Sequence, residues 1–169
     1  TLGLGALLHD VGKLDAPIEI LVKPGALTDD EFETMKRHTV WGEALLRPWP
    51  LLAPAAPLVR WHHERADGTG YPDGIPVRDL PDAVALISVC DAWDAMVSDR
   101  PYRDGMPEDR ALAILQEGAG SQWSERAVAI VTAEIADFGR VVTSVFDGVG
   151  DGPHAPHDRL CDCQDALPT

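Results

Sequence analysis

The chain has 169 residues, 45% of them apolar, and a formal net charge of −14. A chain of that size can close one hydrophobic core, its apolar share is that of a globular protein, and no apolar run reaches the roughly 20 residues that span a bilayer. The charge excludes general binding to DNA or other nucleic acid, whose backbone it would repel, but not a small phosphate ligand where bound metal ions reverse the local field.

The chain opens Thr1-Leu2-Gly3-Leu4 inside an apolar stretch and without a methionine, as expected of a fragment or a processed piece. From Leu2 to Lys13 the sequence runs from apolar to polar, like the last turns of a buried helix. Pro17 and the Lys23-Pro24-Gly25 turn break the next stretch. Thr28-Asp29-Asp30-Glu31 has the form of a capping box, which predicts one helix from about Thr28 to Leu46. Pro48, Pro50, Pro54 and Pro57 punctuate the next connection, and a short helix is expected over Leu58 to Arg65. Residues 67–81 are rich in glycine and proline and form a loop long enough to be expected to carry function.

Asp82 to Ser98 shows a helical apolar face through Val84, Ile87, Trp93 and Val97. Pro107 suits the first turn of a helix reaching Leu115, and Ser124-Glu125 opens another to about Phe138. Residues 147–169 are poor in large apolar groups and cannot offset their own ordering entropy, so a disordered acidic tail is expected there. The sequence therefore predicts an all-α domain over residues 1–146, with that tail after it. No basic-then-apolar opening marks a signal peptide, and three cysteines, two of them in Cys161-x-Cys163, do not make a disulfide framework. A reducing, cytoplasmic setting is expected.

The candidate chemistry lies in histidines and aspartates set among apolar residues. His9, Asp10 and Lys13 share one side of a helix if it continues that far. Alone, they would serve equally as a polar helix end emerging into solvent. His38, the adjacent pair His62-His63, and Asp91 in Ile87-Ser88-Val89-Cys90-Asp91 change the balance. Six such residues on four segments exceed what hydrogen-bonded core histidines or a lone paired aspartate account for. Mixed imidazole and carboxylate donors suit iron, manganese, zinc or nickel. Neighbours on a helix diverge by about 100°, so His62 and His63 are expected to serve more than one ion. The five tryptophans read as packing, and Glu43 and Glu64 as surface groups or supports rather than catalytic acids. His154, His157, Cys161 and Cys163 read as part of the disordered tail rather than as a second metal site.

Taken in order, His9-Asp10-Val11-Gly12-Lys13, Ile20-Leu21-Val22-Lys23-Pro24-Gly25-Ala26-Leu27, His38, His62-His63-Glu64, Asp67-Gly68-Thr69-Gly70-Tyr71-Pro72 and Asp91 resemble the HD-GYP domain, a bacterial branch of the HD phosphohydrolases. The resemblance covers roughly residues 4 to 135. It implies a helical bundle holding two or three divalent ions, commonly iron or manganese, that hydrolyses cyclic di-GMP to pGpG or GMP. By position it implies His9, Asp10, His38, His62, His63 and Asp91 as metal ligands, with Asp10 bridging, and Asp10 and Lys13 as catalytic groups. Lys13, Gly70, Tyr71, Pro72, Arg100 and Arg103 correspond to groups that contact or shape the substrate.

The resemblance also implies one further ligand on a helix upstream of His9, and an upstream sensor or receiver domain. GGDEF-domain cyclases are expected partners. Two departures stand out: no arginine lies near Ala85, and Ser124-Glu125 stands where Asp-Pro is usual. Two other functions fit the same residues. One is an HD hydrolase of another cyclic nucleotide, such as cyclic GMP-AMP; the other is a non-catalytic module that binds a nucleotide or a partner.

Overall fold

The structure, a computed structural model, describes residues 1–99 and 104–146, with side chains up to residue 137. It divides into a unit over Thr1–Ala136 and a second over Asp137–Thr169, the latter described only as the end of the last helix. The predicted tail, with His154, His157, Cys161 and Cys163, lies outside the described residues, as do Arg100 and Arg103.

Among the described residues eight α-helices succeed one another: α1 Leu2–Leu8, α2 Ile18–Leu21, α3 Asp29–Lys36, α4 His38–Leu46, α5 Ala56–Trp61, α6 Asp82–Val97, α7 Glu108–Glu117 and α8 Glu125–Phe146. Short 3-10 turns occupy Val11–Asp15, Ala53–Ala55 and Val77–Asp79. Among the same residues there is no strand, only an isolated bridge between Ala119 and Trp123. The all-α expectation therefore holds.

Local signals account for several boundaries. Thr28 Oγ1 accepts the Glu31 amide at 3.3 Å while the Glu31 carboxylate accepts the Thr28 amide at 2.7 Å, so both halves of the capping box form. Helix α6 matches its prediction almost residue for residue. Pro107 is the residue before α7 rather than its first turn, and α8 runs on past Phe138.

The short helix expected over Leu58 to Arg65 runs instead over Ala56–Trp61, and two further expectations fail through packing. The single helix from Thr28 to Leu46 is broken at Arg37, whose amide bonds back to Thr34 O at 3.1 Å. Nothing in the local sequence forbids a continuous helix there. What intervenes is a backbone-to-backbone approach: a Cβ on Gly12 would lie 1.9 Å from His38 O and 2.4 Å from Gly42 N. The helix from Leu2 likewise stops at Leu8, and Lys13 falls on the 3-10 turn of Val11–Asp15.

The core is a chain of three clusters. Leu46, Ala55, Ala56 and Val59 join α4 to α5, with Leu8 and Val11 packed on them. Leu58, Val84 and Ile87 join α5 to α6. Val77, Ala85, Val89, Leu115, Trp123 and Val128 tie α6 to α7 and α8. Each fully buried aliphatic side chain contributes about 1.5–3 kcal/mol relative to exposure. Trp123 is buried in this core, as its packing role predicts, whereas Trp49 is largely exposed. The clusters hold the ends of α1, α4 and α5 together around a polar centre.

Candidate metal centre

The polar centre is built from helix ends. His9 caps the C-terminus of α1, His38 opens α4, and His62 caps the C-terminus of α5. In each case Nδ1 faces the carbonyl three residues back: Ala6 O, Met35 O and Val59 O, all at 2.7 Å. A carbonyl only accepts, so each Nδ1 carries the proton and donates. In the neutral ring each Nε2 is then left with a lone pair pointing away from the helix end.

Those lone pairs converge. His38 Nε2 lies 3.4 Å from His62 Nε2, and ligand atoms of His38, His62 and His63 all fall within 4.8 Å of one another. His9 Nε2 faces Asp10 Oδ2 at 3.4 Å and Asp91 Oδ1 at 3.5 Å. Asp10 Oδ1 lies 3.4 Å from His38 Nε2, yet it is buried without a hydrogen bond among the described residues. Lys13 Nζ donates to Asp10 Oδ2 at 2.5 Å. The structure thus brings together His9, Asp10, Lys13, His38, His62, His63 and Asp91.

The His62–His63 geometry corrects the expectation of divergence. Helix α5 ends at Trp61 and the chain turns, so the two rings lie side by side with centroids 4.1 Å apart. The same turn puts His63 within 5.2 Å of His38, ring to ring.

Electrostatics reflect burial and neighbours. Burial, aided by the charge of His63, pushes His62 down to about 3, and burial with the charge of His38 pushes His63 down to about 4. Burial also lowers His38. These three imidazoles are neutral at pH 7, the state in which they donate to a metal. His9 goes the other way, up to about 10, through its hydrogen bonds to Asp10 and Asp91. Burial works to raise Asp10 and Asp91, but His9 and, for Asp10, Lys13 hold both below the usual carboxylate range.

Two neutral imidazoles facing each other lone pair to lone pair, and a buried carboxylate oxygen without a donor, are costly unless a cation lies among them. The His9 nitrogen between two carboxylates has the same need, met by a proton when no metal is bound. The donor set fits a divalent transition-metal ion.

The loop beside the cluster is fixed by Glu64, a residue whose weight the sequence did not disclose. Its carboxylate is 1% exposed and accepts the amides of Asp73 at 2.7 Å, Gly74 at 3.0 Å and Ile75 at 3.0 Å. A signal was there: an acid directly after two histidines, before a glycine-rich loop full of amides that need partners. Further ties are Tyr71 N to His63 O at 3.2 Å, Arg60 to Asp73, and Asp67 to both Arg65 and Thr69. Gly70 must lack a side chain, since a Cβ would lie 2.5 Å from Arg65 N. Glu43, read from sequence as a surface or supporting group, binds Arg47 and Arg60.

The Tyr71 ring lies against His63, centroids 4.8 Å apart at 30°, and burial raises its hydroxyl above the ordinary range. Among the described residues, two cavities open on the cluster. One of about 460 Å³ is lined by His9, Asp10, Asp91 and the apolar Leu2, Ala6 and Ile87. The other, about 280 Å³, is lined by His63, Tyr71, Ser88, Asp91 and Gln122.

The profile of the HD domain family matches residues 1–128. A cyclic di-GMP phosphodiesterase of Thermotoga maritima is 42% identical over 125 residues, spanning 73% of this chain and 34% of that protein. A 3'3'-cGAMP-specific phosphodiesterase of Vibrio cholerae is 40% identical over 112 residues, spanning 66% of this chain and 24% of that protein. The solved structure of an HDG"Y"P protein from Bdellovibrio bacteriovorus superposes with a TM-score of 0.63 at 21% identity, over 80% of this chain and 43% of that one; it bears on the fold alone. The chain spans about a third or less of the length of the curated relatives it matches.

Proposed function

From the premise that the chain belongs to the HD domain family, we propose that it is the catalytic part of a metal-dependent phosphodiesterase that cleaves cyclic di-GMP to pGpG and, after a second cleavage, GMP. The observation that carries this reading is the cluster of outward Nε2 lone pairs around a buried, undonated Asp10 oxygen. An arrangement that costs stability without a cation is hard to account for in a module that has no use for one. The relatives' names support a cyclic dinucleotide as the substrate class.

His9, Asp10, His38, His62, His63 and Asp91 would hold two or three divalent ions, iron or manganese. Such ions, when bound, supply Lewis acidity toward a phosphoryl oxygen and bring the ionisation of water toward neutral pH. The chain's own groups do the rest. The backbone carbonyls behind His9, His38 and His62 lock the ring orientations. Asp10 holds the Lys13 ammonium at the centre, where it adds positive charge as the phosphoryl oxygens gain negative charge. Gly70, Tyr71 and Pro72 form one wall of the substrate site, kept in place by Glu64. Arg100 and Arg103 complete the contacts assigned from the sequence.

No helix among the described residues is long and apolar enough to cross a membrane. A cytoplasmic setting, an upstream sensor or receiver domain and GGDEF-domain partners belong to the same proposal. A second reading, hydrolysis of cyclic GMP-AMP, is favoured by the Vibrio relative.

The test is hydrolysis of cyclic di-GMP and 3'3'-cGAMP by the chain loaded anaerobically with iron or manganese, with products separated chromatographically. Formation of pGpG that disappears with Asp10→Ala is expected. Turnover of cGAMP alone would move the assignment to the second reading. Silence on both, with metal verified in the protein, would leave only the binding module.

A further inference from the structure

A third cleft, about 350 Å³, also borders Tyr71 and is lined by Glu33, Lys36, Arg37 and Val40 on one hand and by Tyr71 and Pro72 of the loop on the other. Both walls are neighbours of the metal centre. Arg37 directly precedes His38, and Tyr71 lies against His63. The helix break at Arg37 sends consecutive side chains opposite ways: His38 is buried in the cluster while Arg37 is exposed on the cleft.

The charges here differ from those elsewhere. The chain carries 28 acidic against 14 basic residues, and most cations whose side chains are described are engaged. Lys13, Lys23, Lys36, Arg47, Arg60, Arg65, Arg78 and Arg126 each have a carboxylate within 4.0 Å. Among the residues whose side chains are described, only Arg37 and Arg110 do not. Arg37 is held instead on the face of Trp41, 5.0 Å from the ring centroid. That contact orients a guanidinium without neutralising it. Beside it the Lys36 ammonium sits 4.9 Å from the Phe32 ring and 5.6 Å from the Tyr71 ring, shared with the exposed Glu33. An uncompensated, oriented guanidinium in an acidic chain, one residue from a phosphodiester-cleaving centre, is suited to an anion.

We propose that this cleft is the subsite for the phosphate of the cyclic dinucleotide that is not being cleaved, with Arg37 as its principal ligand and Lys36 as a lesser one. The inference rests on the proposed reaction and names what sets its selectivity. A diester with a second phosphate gains a contact that a single-phosphate diester cannot make.

The test uses the manganese-loaded chain and two diesters, cyclic di-GMP and bis(p-nitrophenyl) phosphate, which has only one phosphate. Arg37→Gln is expected to raise KM for cyclic di-GMP about tenfold, the effect of one lost charge-assisted hydrogen bond, and to alter kcat/KM for the small diester less than about twofold. Lys36→Gln should act the same way but more weakly, and Arg37→Lys should recover most of the KM. Equal losses on both diesters, or no change on either, overturn the subsite. A wild-type chain that cleaves the small diester but not cyclic di-GMP overturns the proposed substrate instead. In that case, or if neither diester is cleaved, calorimetric titration with a phosphorothioate analogue of cyclic di-GMP judges the cleft. Weaker binding by Arg37→Gln supports it; equal Kd values, or no binding by wild type, overturn it.

Discussion

The histidine–aspartate cluster and the loop next to it treat buried polar groups in opposite ways. Around Glu64 every carboxylate oxygen meets amide donors, and the loop is complete as it stands. A few residues away, Asp10 Oδ1 is buried with no donor and His38 Nε2 faces His62 Nε2 across 3.4 Å. One region is stable by itself, and the other calls for a cation. The difference separates residues kept for the fold from residues kept for chemistry, although both are buried and polar.

The sharpest way to break this comparison is Asp10→Ala. It should lower activity by about a thousandfold or more, as loss of a ligand group central to catalysis does. Metal content should fall with it, while the metal-free variant melts only slightly below the metal-free parent, because the undonated Oδ1 is removed together with the partly exposed pairs of Oδ2 to Lys13 and His9. A metal-free melting temperature well below the parent's would mean that Asp10 is structural.

Glu64→Ala should do the reverse. Leaving three amides without their acceptor costs about 3 kcal/mol of folding free energy, measured by urea unfolding. Hydrogen exchange at Asp73, Gly74 and Ile75 should accelerate first. Unchanged stability would mean that water replaces the carboxylate and the loop is less complete than it looks.

Gly70→Ala should cost about 1–3 kcal/mol, since the added carbon meets backbone that cannot yield. It should shift the Tyr71 wall and reduce kcat/KM by more than it weakens metal binding. Equal loss of metal would show that the loop and the cluster are not separable.

The remaining test is a pH profile of metal-free stability. His62 and His63 titrate near 3 and 4 when folded and near 6.5 when unfolded, so stability falls as pH drops from about 6.5 toward 4. His9 titrates near 10 when folded, so its contribution is full below about 6.5 and is lost as pH rises toward 10. The two limbs predict a maximum near pH 6.5 in thermal melts, and the alkaline limb should flatten once metal replaces the His9 proton.

Much of this was legible in the residue order. The capping box at Thr28, the long helix from Asp82 and the polar residues at the ends of apolar runs are local signals, and local signals were readable. The candidate ligands were legible because histidine and aspartate in apolar sequence need partners. The break at Arg37 was not, because it comes from the approach of Gly12 to His38, residues far apart in the chain. Nor were the side-by-side His62 and His63 rings, because no local breaker marks the end of α5 at Trp61. Glu64 was undervalued because its amide donors lie nine to eleven positions later and meet it only once the loop closes.

His62, His63 and Glu64 are consecutive, yet two of them face the cluster and the third anchors the loop. Neighbouring Cα atoms are held about 3.8 Å apart by covalent geometry, so this stretch acts as an inextensible link. A pull on the loop is therefore a pull on His63. Tension applied there, by a bound molecule or by a neighbouring protein, would be transmitted to the centre as a change in how tightly metal is held. By reciprocity, metal loading would stiffen the loop by the same free energy.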